Sequence, residues 1–106
     1  MKKFFIKNSL NSGLATQIKN ELKLGTARND ILEKTIRIIE ADETIDSVGY
    51  GGFPNILGDM ELDAAFMDGD DRTVGAIAGV KNFLPIRIAR KLMEENLHVM
   101  LAGEGA

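Results

Sequence analysis

Residues 60–80 constrain the fold of this chain more than any other stretch. Met60, Leu62, Ala64 and Phe66 alternate with Glu61, Asp63, Ala65 and Met67, a period of two that only an extended strand satisfies. Asp68-Gly69-Asp70-Asp71 then reads as a hairpin turn. Residues 73–80 form the returning strand. It is rich in Ala and Gly, so another layer can approach it closely.

The flanking segments repeat with helical period. Leu14, Ile18 and Leu22 recur at i, i+4 and i+8, and Gly25 fits a helix stop. Thr26 is placed to cap a second helix, whose buried face is Ile31, Leu32, Thr35, Ile36 and Ile39. Glu33 and Arg37 stand at i,i+4 in the favourable order. This helix should end near Asp42. Pro85 suits the first position of a third helix with a stripe of Ile86, Ala89, Leu92 and Met93. Phe4, Phe5 and Ile6 make a short first strand, and residues 98–101 a last one. The expected order is β-α-α-β-β-α-β, a mixed α/β domain.

Composition removes several functions. With 13 Lys+Arg against 16 Asp+Glu, the net charge is -3; no basic excess exists to bind a phosphate backbone, which argues against a general nucleic-acid binder. Aromatic residues are 6% and Trp is absent, which leaves no base-stacking platform. There is no Cys, hence no disulfide, thiolate nucleophile or Cys-based metal site. His98 is the single His, so no site can use two imidazoles. No apolar run approaches the roughly 18–20 residues of a membrane span. The opening MKKFFIK resembles a signal-peptide start, but Lys7, Asn8 and Ser9 break it before the required 7–15 apolar residues or so. A cytoplasmic protein is expected, with no metal and no cofactor.

The glycines of SVGYGGFPN at 47–55, Gly49, Gly51 and Gly52, invite a nucleotide-loop reading. No Lys follows for a Walker loop, and Pro54 stands where a dinucleotide fingerprint needs Gly. A tight loop with left-handed backbone angles accounts for them. An EF-hand beginning at Asp68 would need Gly and Glu where Thr73 and Gly79 stand. Asp68 and Gly69 therefore belong to a polar turn. Asp63, inside an apolar strand, reads as a buried, hydrogen-bonded structural carboxylate, with a catalytic acid as the alternative. His98 reads as a structural His at a strand edge. Ser9, Ser12, Thr16 and Ser47 show no nucleophile-elbow pattern.

Five segments in order resemble the glycosylasparaginase family: SVGYGGFPN at 47–55, MELDAAFMDG at 60–69, VGAIAGV at 74–80, PIRIARKLME at 85–94 and HVMLAGEGA at 98–106. This family joins N4-(β-N-acetylglucosaminyl)-L-asparaginases, isoaspartyl peptidases and plant-type L-asparaginases. The resemblance implies an N-terminal-nucleophile hydrolase with an αββα sandwich, of which residues 1–106 form the N-terminal portion of the α-subunit. Such a precursor cleaves itself before a Thr in a His/Asn-Asp-Thr-Ile/Val-Gly motif, downstream of the Gly-Glu-Gly-Ala stretch. The expected partner is thus a C-terminal half carrying the β-subunit, in a homo-oligomeric enzyme that hydrolyses the side-chain amide of asparagine derivatives. The chain on its own is expected to be inactive. A truncated remnant serving as a non-catalytic interaction module is the alternative.

Two positions depart from the family pattern. Leu10 stands where glycosylasparaginases carry a Trp that lines the substrate pocket. Asp71-Arg72-Thr73-Val74-Gly75 imitates the cleavage motif, but Arg72 separates Asp from Thr, and the neighbours place Thr73 on an inner strand. Thr73 is therefore a decoy.

Overall fold

The computed structural model describes residues 13–106. The first strand at Phe4, Phe5 and Ile6, and Leu10, Ser9 and Ser12, lie outside the described residues. The remaining order follows the expectation: α1 (Leu14–Leu24), α2 (Arg28–Ala41), a 3-10 turn (Gly49–Gly51), β1 (Leu62–Asp68), β2 (Thr73–Val80), α3 (Pro85–Glu95) and β3 (Met100–Ala102). Among the described residues, three helices accompany one three-stranded sheet in the order β1-β2-β3. None of these helices is long and apolar enough to cross a membrane.

β1 and β2 form the antiparallel hairpin, with Phe66 opposite Gly75 and Asp68 opposite Thr73. The register slips between Leu62 and Ala64, so an extra residue bulges from β2. Gly79 supplies it, at φ 65°, where a side chain would be strained. β3 runs parallel to β2, so α3 is the crossover connection between them.

The core lies between the sheet and α3. Leu62, Phe66, Ile77 and Val80 meet Ile86, Ala89 and Met93 there, and Ile77 is 1% exposed. Pro85 opens α3, as its fixed φ and missing N–H allow. The stripe read from sequence is the buried stripe. A smaller cluster joins Leu14 and Ile18 of α1 to Ile31 of α2. Gly25 closes α1 at φ 77°, the left-handed stop that glycine favours.

The opposite sheet face has no layer over it among the described residues. Ala65 pairs with Ala76, which in turn pairs with Met100, so these three share that face. Met67, opposite Val74, lies beside them at 65% exposure, and Met100 is 57% exposed.

Two local expectations are corrected. Thr26 does not cap α2; Ala27 holds that position, with no side-chain cap. The Thr26 hydroxyl instead donates to Glu21 Oε2 at 2.6 Å, fastening the turn to α1. Glu33 turns away from Arg37 towards Arg90 of α3, which also bonds Asp30 and Glu94, both at 2.7 Å. One planar guanidinium thus joins α2 to α3, because its fork of donors serves several carboxylates at once.

Candidate functional site

Among the described residues, Asp68 is the most densely bonded carboxylate. It ends β1 and is only 8% exposed. Its oxygens accept from Asn29 Nδ2 at 2.7 Å, from Arg28 Nη2 at 3.2 Å and from the Asp70 backbone N–H at 2.9 Å. The Asn29 amide and the Asp70 N–H hold its pKa below the usual aspartate range. Asp68 therefore stays ionised near neutral pH and donates no proton. The same bonds shape the turn, so Asp68 and Gly69 do form the polar hairpin turn, and they also pin the start of α2 to it. Arg28 bridges onward to Asp70 at 2.5 Å.

Asp63 is exposed, not buried as its apolar neighbours suggest. It alternates with buried Leu62 and lies on the uncovered sheet face with exposed Ala65 and Met67. The irregular register leaves the Gly79 N–H outside the ladder, and Asp63 Oδ1 accepts it at 2.8 Å. The hydrogen bond expected of Asp63 is present; the burial is not.

The glycine loop is a packing device. Gly49 has φ 66°, and a Cβ there would collide with the Glu40 backbone. A Cβ on Gly51 would strike the carbonyl oxygens of Ile45 and Glu43. The left-handed angle expected of this loop is taken by Gly49 and not by Gly51 or Gly52; Gly52 lies at φ -69° with a carbonyl of Gly49 close by. The loop's glycines let it lie flat on the end of α2.

Glu40 is the residue that sequence reasoning passes over. It continues the buried face of α2, four positions after Ile36, and is 5% exposed. Its Oε2 is enclosed and finds no hydrogen-bond partner among the described residues. Burial pushes its pKa up to about 7, against the pull of the Ile86 N–H and Arg37. It borders a cleft of about 520 Å³ walled by Ile39, Val48, Phe53 and Ile86, with Ser47 and Asp63 on its rim. The helical period marks the position as buried; only its carboxyl chemistry makes it unusual.

No nucleophile–base pair is assembled by these groups. Thr73 is an internal strand residue opposite Asp68, with its nitrogen in a peptide bond and no free amine. His98 and Thr16 are exposed. Among the described residues, no three His, Asp or Glu side chains come together to hold a metal ion.

Residues 6–106 match the sequence profile of the asparaginase family, Asparaginase_2. Over 93 residues the chain is 38% identical to the isoaspartyl peptidase/L-asparaginase of Mus musculus, covering 87% of this chain and 28% of that protein. Over 86 residues it is 43% identical to the N(4)-(β-N-acetylglucosaminyl)-L-asparaginase of Elizabethkingia miricola, covering 80% and 25%. It is 47% identical over 89 residues to the plant-type L-asparaginase of Pyrococcus abyssi, covering 81% and 28%. The matched region is therefore about a quarter of the length of these relatives. The match runs through every element described above, from α1 to β3, and by it the chain belongs to the asparaginase family.

Proposed function

We propose that these residues form the N-terminal portion of the α-subunit of an amidohydrolase acting on the side-chain amide of asparagine derivatives. The match over residues 6–106 carries this reading, since it joins the chain to proteins named for that activity. In the proposed enzyme, autoproteolysis frees a Thr outside residues 1–106. Its hydroxyl oxygen attacks the amide carbonyl carbon. The proton passes to the new α-amino group, whose reference pKa of about 7.7–8.0 leaves part of it neutral near pH 7. That amine returns the proton to the departing nitrogen, an ester acyl-enzyme forms, and water releases aspartate.

The role of residues 13–106 in this scheme is architectural. The hairpin β1–β2 is an inner layer of the proposed αββα sandwich. α3 covers one face, and a second sheet from the β-subunit covers Met67, Val74, Ala76 and Met100. The apolar character and exposure of that face support the arrangement. Asp68 and the glycine loop act as structural groups, and Leu10 replaces the family's pocket Trp.

The test is aspartate release from an asparagine-derivative amide. Purified 1–106 should release none. The coding sequence beyond codon 106 should contain the His/Asn-Asp-Thr-Ile/Val-Gly motif, and the longer product should cleave itself and release aspartate. Activity from 1–106 alone would overturn the assignment of the nucleophile to another segment. A coding sequence without the motif would favour a non-catalytic interaction module instead.

A further inference from the structure

Glu40 lies where three elements meet. Its main chain belongs to the last turn of α2, and Gly49 of the glycine loop packs directly on its carbonyl oxygen and Cα. Its side chain reaches the first turn of α3, where Ile86 N–H faces it. α3 has no side-chain cap of its own, since Leu84 precedes Pro85. A carboxyl group from α2 thus stands at the uncapped N–H end of α3.

The site is nevertheless poor for a carboxylate. One oxygen is enclosed without a partner. An ionised, unpaired oxygen in such a place is costly, whereas a protonated acid carries no net charge into the interior. Among the described residues, the surrounding charges offer little relief. Arg37, on the same helix, is the cation that acts on it. β1 and the residue before it bring Asp63 and Glu61 to the same cleft, and neither supplies a positive charge. The glycine-loop side brings Ser47, Val48 and Phe53, and α3 brings Pro85 and Ile86, none of them titratable.

We propose that Glu40 is a proton-operated latch: protonated, it lets α2, the glycine loop and α3 close on one another, and ionised, it loosens that junction and admits water to the adjoining cleft. The sign follows from burial. Folding holds the Glu40 proton to a higher pH than the unfolded chain does, so stability is greatest below the usual glutamate value and declines as pH rises towards about 7. Above that pH the contribution is spent and the dependence flattens. The shift corresponds to a fall in the folding equilibrium constant of roughly a hundredfold across the window.

The experiment compares the full chain with Glu40→Gln by chemical denaturation at intervals from pH 5 to 8. The unmodified chain should lose stability through this range, and Glu40→Gln should be nearly flat. Equal slopes in the two proteins would overturn the latch. If Glu40→Gln does not fold, a carbon-detected NMR titration of the unmodified chain decides the matter. The Glu40 carboxyl should titrate near neutrality, and amide exchange at Gly49, Gly51 and Ile86 should quicken across the same midpoint, after correction for intrinsic rates. A midpoint in the ordinary glutamate range, or exchange at those amides that ignores the midpoint, would overturn it.

Discussion

Gly75 of β2 lies directly against Ala89 of α3, so that a Cβ on Gly75 would overlap the Ala89 carbonyl oxygen and the Met93 backbone nitrogen. Ala89 is itself 0% exposed. The helix and the sheet therefore touch through backbone, and the Ala/Gly character of β2 is the condition for that approach.

Replacing Gly75 with Ala should force α3 off the sheet. Backbone cannot rotate away as a long side chain can, so the cost should be at least the 1–3 kcal/mol or so typical of overpacking. Gly69→Ala is the control, because open space surrounds its Cβ position and its φ is not positive. Denaturant midpoints should fall sharply for the first variant and hardly move for the second. Equal midpoints would show that α3 does not rest on β2 through this contact.

The glycine loop makes a second comparison. Gly49 and Gly25 both have positive φ, 66° and 77°. At Gly25 a Cβ meets nothing, so Gly25→Ala should cost about 1–2 kcal/mol, the left-handed backbone penalty alone. At Gly49 the same penalty is joined by collision with the Glu40 backbone, so Gly49→Ala should be clearly the more damaging in thermal melts. The reverse order would contradict the packing of the loop on α2.

Asp68 contributes to the acid limb. Its pKa is depressed in the folded chain, chiefly by the Asn29 side chain, then by the Asp70 N–H. It therefore stabilises the fold above the unfolded aspartate pKa, and that contribution disappears as pH falls through the lower folded value. Asp68→Asn should lower the melting temperature by several degrees at pH 7 and show a smaller further drop on acidification. Asn29→Ala should shift it in the same direction at pH 7. An unchanged acid limb in Asp68→Asn would assign acid sensitivity to other carboxylates.

The regular elements were legible in the sequence because their signals are local. The stripe of Ile86, Ala89 and Met93 repeats with the helix, and Leu62 and Phe66 alternate with the strand; each is buried as its spacing requires. Gly25 and Pro85 mark helix boundaries through their own backbone preferences. The family relationship was legible too, because several motifs occur in order at fixed spacing.

Polar roles were not legible in this way. Asn29 and Asp68 are 39 positions apart, and neither residue's neighbours reveal the other. Asp63 sits in an apolar strand pattern, yet it lies on the uncovered sheet face and accepts the Gly79 N–H that a bulge on the facing strand leaves free. Thr26 follows every rule for a cap and bonds Glu21 instead. The sequence by itself determined which residues repeat on a buried face, since that follows from the pitch of a single element. Only the tertiary structure decided which carboxyl is bonded, which is exposed and which, at Glu40, is enclosed with an unmatched oxygen. Hydrogen bonding and burial are settled by groups that distant segments bring together, and no local period encodes them.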